Sequence, residues 1–148
     1  MAATAELLVV DASVATKWHL PDEADADIAL LLLDRFAAGA VQLIAPGHIR
    51  AEVPSAITVA TRGQQARLTP EQGDAAIDEF LALALPTVDD DPLVRAAAAT
   101  AREYGCAFYD GLYLALAQRL DIRFILADER FHRLIRHLPS VIWLGDYT

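Results

Sequence analysis

An α/β fold built on a central, mostly parallel sheet is the architecture this sequence predicts, and three observations carry it. Short apolar runs, "ELLVVD", "VQLIAP" and "RFILAD", recur along the chain. Runs this short, with no polar alternation, are the pattern of strands buried on both faces. Longer Ala- and Leu-rich segments with helix start and stop signals separate them, and such alternation builds a parallel sheet covered by helices. The 148 residues suit one domain, residues 1–148, with a sizeable core.

In order along the chain, "ELLVVD" is the first strand and ends in Asp11. "ASVATKW" opens a helical turn. "PDEADADIALLLLDRFAAG" reads as a helix from Pro21, with acids in its first turn and Gly39 closing it. "VQLIAP" is the second strand. "GHIRAEVPSAITVATRG" is a long helix ending at Gly63, with Pro54 expected in its first turn, where proline is tolerated. "TPEQGDAAIDEFLALA" is the next helix, with Thr69 as cap and Pro70 in the first position. "LPTV" is a short strand before a turn, and "DPLVRAAAATAREYG" a helix from Asp91 and Pro92 to Gly105. "CAFYDGLYLALAQRL" is apolar on nearly every side after Tyr109, so its helix is buried, yet Asp110 stands at its head. "RFILAD" is a strand followed by Asp128, "ERFHRLIRHL" a short basic helix, and "SVIWL" the last strand.

The net charge is −9, from 21 acidic and 12 basic residues. That excludes nonspecific nucleic-acid binding through a broad basic face. The charge is uneven: residues 1–94 hold 5 basic against 15 acidic side chains, and residues 95–148 hold 7 against 6. Any anion-binding surface is therefore local. No apolar run approaches the roughly 17–25 residues of a membrane span, and "MAATAELLVVD" lacks the basic start of a signal peptide. A cytoplasmic protein with no membrane partner is expected. The single cysteine, Cys106, excludes an internal disulfide framework and a Cys-based zinc site, and reads as a buried small side chain. His19, His48, His132 and His137 are too dispersed for a zinc site and read as surface or helix-end residues. Neither glycine-rich phosphate loop nor a GxSxG elbow is present.

In open α/β sheets the ligand site lies beyond the carboxyl ends of the strands. Asp11 ends the first strand, Asp128 follows "RFILA", Asp110 heads the buried helix, and Glu52 lies early in the helix after "VQLIAP". Each alone is explained as a cap or as a first-turn acid stabilised by the helix dipole. Together, four carboxylates repel one another and hold raised pKa values unless a cation neutralises them. Oxygen donors without His or Cys suit a hard cation, Mg²⁺ or Mn²⁺. One or two such ions at a sheet end serve phosphodiester displacement.

Four segments, "VVDASVATKWHLPDE", "APGHIRAEVPSAI", "YDGLYLALAQRL" and "ILADERFHRL", stand in an order and spacing that resembles the PIN-domain ribonucleases, most closely the VapC-type toxins of toxin–antitoxin pairs. The resemblance covers nearly the whole chain. It implies a PIN-like three-layer α/β/α sandwich and Mg²⁺- or Mn²⁺-dependent endoribonuclease activity on structured RNA. It implies Asp11 and Asp110 as principal metal ligands, with Glu52 and Asp128 completing the catalytic site directly or through water, and Ser13 as a supporting hydroxyl. It also implies a homodimer silenced by a cognate VapB-type antitoxin. One position departs from the family: Leu126 stands where a Thr or Ser often precedes the last acid. Lys17, Arg62, Arg67, Arg130, Arg133 and Arg136 are the cations placed to meet phosphates, although each is individually explained by solvation or by pairing with the many acids. Trp18 reads as core or interface. Two rival readings are a catalytically inactive PIN scaffold that works by binding a partner, and a phosphoryl-transfer receiver or phosphatase whose Asp accepts phosphate covalently. The receiver lacks support, because neither paired acids nor a downstream lysine accompany the strand-end Asp.

Overall fold

The computed structural model describes residues 3–148. Its five strands are β1 (Glu6–Val10), β2 (Val41–Pro46), β3 (Thr87–Val88), β4 (Arg123–Leu126) and β5 (Val141–Trp143). They form one sheet in the order β3-β2-β1-β4-β5, and every pairing is parallel. Among the described residues the helices are α1 (Ala12–Lys17), α2 (Ala26–Ala37), α3 (Ile49–Ala60), α4 (Pro70–Ala82), α5 (Val94–Tyr104), α6 (Phe108–Leu120) and α7 (Glu129–Ile135). The α/β class with a parallel sheet is the one the sequence predicts.

From β1 the chain steps outward through β2 to β3, then crosses back and lays β4 on the other side of β1. Connections leaving in opposite directions open a crevice at the carboxyl ends of the two central strands. The register fixes what stands there. Val10 pairs with Ile125, and the Asp11 amide extends the ladder by donating to the Ile125 carbonyl at 3.0 Å. Asp11 and the Ala127–Asp128 segment are thereby neighbours. Leu8, Val9 and Val10 of β1 and Phe124, Ile125 and Leu126 of β4 are fully buried, which is why these strands show no polar alternation.

Helix α6 is the deepest helix, with Gly111 to Ala117 all buried. It packs on α5 through Gly111, where a Cβ would stand 2.6 Å from the Ala97 carbonyl oxygen. Only glycine permits that approach, and the approach sets the depth of Asp110, one residue earlier.

Several local expectations need correction. Helix α2 begins at Ala26 rather than Pro21. The preceding acids are taken up in ion pairs, Glu23 with Lys17 at 3.3 Å and Arg67 with Asp22 and Glu23 at 3.5 and 3.2 Å. Asp25 then turns the chain into the helix at φ 60°, a left-handed conformation Asp tolerates. Pro54 lies beyond the first turn of α3, because the helix is already under way from Ile49, after a turn whose His48 amide donates to Asp90. Asp91–Leu93 form a separate 3-10 turn ahead of α5. His19 is not a surface histidine: its side chain is 4% exposed, 3.7 Å from Glu79 and edge-on to Phe80. Burial lowers its pKa. Cys106 is only half-buried, because it lines an open cavity at the start of α6. Trp18 is core, its Nε1 donating to the Ala29 carbonyl at 2.9 Å. No helix among the described residues is long and apolar enough to cross a membrane.

The Gly111 contact makes a prediction. Gly111→Ala forces α5 and α6 apart and should destabilise the protein by about 1–3 kcal/mol, the usual cost of overpacking. Urea denaturation measures it, and a midpoint equal to wild type would show that the two backbones do not meet there.

Candidate active site

Asp11 leaves β1 and caps α1. Its Oδ2 accepts from the Ser13 amide at 3.1 Å and from the Ser13 hydroxyl at 2.5 Å. The Ser13 oxygen in turn accepts from the Ala127 amide at 2.8 Å. One hydroxyl thus ties the end of β1 to the end of β4. The Leu126 departure follows a different logic: Leu126 is wholly buried and in register with Trp143, so it serves the core. Asp128 is instead held as the N-cap of α7, its Oδ1 accepting from the Phe131 amide at 2.8 Å.

Asp110 lies in the first turn of α6, whose N-cap, Ala107, offers no side-chain acceptor. The helix dipole favours an acid there. Glu52 lies in the first turn of α3. Its Oε1 stands 3.3 Å from His48 Nε2 but is buried without a hydrogen-bond partner. The Tyr113 hydroxyl is likewise buried without a partner. Tyr113 faces Glu52 closely enough that each shifts the other's ionisation, although the pair lacks hydrogen-bond geometry. Burial, then the nearby acids, push the Tyr113 phenol far up.

Asp11, Glu52, Asp110 and Asp128 all line one cavity of about 360 Å³. Lys17 also lines it, already paired with Glu23. A neighbouring cavity of about 340 Å³ shares Asp110 and Asp128. Desolvation dominates the electrostatics. Burial pushes Asp11 up to about 7, with Asp110 and Asp128 adding to it and the Ser13 bonds opposing. Burial and then the Asp11 charge push Glu52 up to about 7. Burial and then Asp128 push Asp110 up to about 6, and Arg130 opposes.

The expected convergence is therefore present as a shared cavity. It is not a closed cage: among the described residues no group of three or more His, Cys, Asp or Glu side chains stands close enough to hold an ion by itself. The acids hang from a strand end and three helix starts around open space, which keeps them apart. The donor set still fits a hard cation. It is oxygen-only, it contains an orphaned buried atom in Glu52 Oε1, and Mg²⁺ retains waters while taking one or two carboxylates. Sequence reasoning missed Tyr113, hidden in an apolar helix, and His48, which stacks on Tyr109 at 4.3 Å. The spacing of His48 and Glu52, four residues apart, was the available signal.

A PIN-domain family model matches residues 8–136. In fold the chain is similar to PAE2754 from Pyrobaculum aerophilum, at 18% identity and TM-score 0.68, over 96% of this chain and 85% of that one. A toxin–antitoxin complex from Klebsiella pneumoniae matches at 15% identity and TM-score 0.60, over 91% and 95%. VapBC2 from Rickettsia felis, bound to a DNA fragment from their promoter, matches at 12% and 0.62, over 93% and 96%. No curated protein matches the sequence.

The buried acids predict a pH dependence. Asp11 rises from 3.8 to about 7 on folding, so between those values the folded chain holds a proton that the unfolded chain has lost. In EDTA, the stability from this proton is full below about pH 4 and drains as pH rises towards 7. Asp11→Asn carries no such proton, so wild type should lose stability relative to it between pH 4 and 8. Urea midpoints across that range measure the difference, and a constant gap would contradict the buried, desolvated carboxylate.

Proposed function

The chain belongs to the PIN-domain family, and from that premise we propose that it is a Mg²⁺- or Mn²⁺-dependent endoribonuclease, the toxin of a toxin–antitoxin pair. PIN domains are generally nucleases. The observation that carries the reading is the set of carboxylates from separate elements around one cavity at the switch point of the sheet.

In this reading Asp11 and Asp110 hold the ion, with Glu52 and Asp128 completing the site directly or through water. When bound, the cation supplies Lewis-acid polarisation of a phosphate and a water of lowered pKa. The protein's part is positional. Ser13 occupies Oδ2 of Asp11 and so fixes the carboxylate for the cavity. The α7 cap engages Oδ1 of Asp128 and sets its orientation. Glu52 is held at the cavity wall by the first turn of α3, with Oε1 buried beside His48 Nε2 at 3.3 Å. The substrate is structured RNA, as the family resemblance implies, and residues 1–148 act as one domain in the cytoplasm. A toxin–antitoxin complex among the structural neighbours supports a cognate VapB-type antitoxin as partner; a homodimer follows from the family resemblance.

The inactive scaffold remains the second reading, and the absence of a closed ligand group among the described residues is the observation in its favour. Cleavage assays on RNA with Mg²⁺ or Mn²⁺, and with EDTA, separate the two. Asp110→Asn should fold with a near-wild-type melting curve while cleavage drops by about a hundredfold or more. Wild type that leaves RNA intact in either metal would establish the scaffold. Independently, millimolar Mg²⁺ should raise the melting temperature of wild type by mass action and leave Asp11→Asn nearly unmoved. Equal shifts in both proteins would place the ion elsewhere.

A further inference from the structure

We propose that the cavity beside Arg130 is a second nucleotide subsite, which takes the phosphate and sugar of the residue adjoining the scissile bond; the proposal rests on the nuclease reading above. The cavity measures about 340 Å³ and shares Asp110 and Asp128 with the acidic one. A chain that crosses the acids therefore enters this space next. Its volume lies at the lower end of the roughly 300–1,000 Å³ that accommodates small ligands.

The walls suit a nucleotide. Cys106 and Ala107, just ahead of α6, line the cavity with Arg130, Phe131 and Leu134 from α7. Phe131 is buried and Leu134 is 37% exposed, giving an apolar wall for a sugar or base. Arg130 supplies the charge. Of the two cations lining these cavities, Lys17 is paired with Glu23 at 3.3 Å. Arg130 has no ion-pair partner among the described residues. It is exposed, and near enough to Asp110 to oppose its rise in pKa. A guanidinium presents a planar fork that matches phosphate oxygens two at a time. The acidic cavity repels a polyanion, so a free guanidinium at its border draws the backbone across it and sets which phosphate lies over the acids.

The test is anisotropy with a panel of fluorescein-labelled hairpin RNAs in EDTA at several salt concentrations, joined to steady-state cleavage in Mg²⁺. Arg130→Gln should bind about tenfold more weakly, and the slope of log affinity against log salt should fall by about 0.7–0.9, the value for one phosphate contact. In cleavage, KM should rise more than kcat falls. Arg130→Lys should keep the salt slope and recover only part of the affinity, since a point charge lacks the fork. Arg123→Gln, which removes a cation paired with Glu6 at the opposite, amino end of the sheet, should match wild type. If wild type cleaves RNA but Arg130→Gln binds with the same affinity and slope, or if Arg123→Gln loses as much, the subsite is overturned and the nuclease reading stands. A wild type that neither binds nor cleaves any of the RNAs overturns both.

Discussion

The Ser13 hydroxyl donates to Asp11 and accepts from the Ala127 amide at 2.8 Å, and so joins the ends of β1 and β4 where the chain's connections diverge. Parallel strands end with open backbone groups at this edge, and a crevice forms there because the helices leave in opposite directions. A single residue that both caps α1's leading acid and closes the β4 side holds the crevice to one width. It reinforces the placement of Asp11 beside the Ala127–Asp128 segment that the β1–β4 register sets. Removal of that hydroxyl would leave a buried carboxylate and a backbone amide each short of a partner, a costly state at low dielectric.

The same edge shows a conflict between stability and site. Asp11 and Glu52 are pushed up to about 7 mainly by desolvation, and Glu52 Oε1 and the Tyr113 hydroxyl are buried without partners. A chain selected for stability alone would replace these groups. The core offsets the cost: α6 is buried along most of its length, and its close approach to α5 at Gly111 anchors the helix that carries Asp110. Local rules broken within an otherwise consistent fold are the expected mark of a functional site.

Fold and function separate cleanly here. Likeness at 12–18% identity to the structural neighbours speaks to chain topology, and unrelated functions share topologies. What supports the proposed phosphodiester chemistry is the placement of acids at the switch point, with Arg130, which has no ion-pair partner among the described residues, lining the adjoining cavity. With a net charge of −9, the proposed function depends on that local placement rather than on a broad excess of basic charge.

The sequence by itself determined the strands, because burial on both faces leaves uninterrupted apolar runs, and it determined helix ends where the signal is chemical and local. Thr69 and Gln72 form the capping box of α4, and Gly105 ends α5 at φ 71°. It also located the candidate acids, since a carboxylate after a buried strand has few other reasons to stand there. Their detailed roles came from likeness to a family. Tertiary structure decided the rest. Helix α2 starts late because Arg67 reaches Glu23 across 44 positions. His19 is buried because α4 brings Glu79 and Phe80 to it. The acids surround a cavity rather than close on a point, because each hangs from a different element. Capping and periodicity act within a few residues, so they are written along the chain; distances between remote residues are set only when the layers pack.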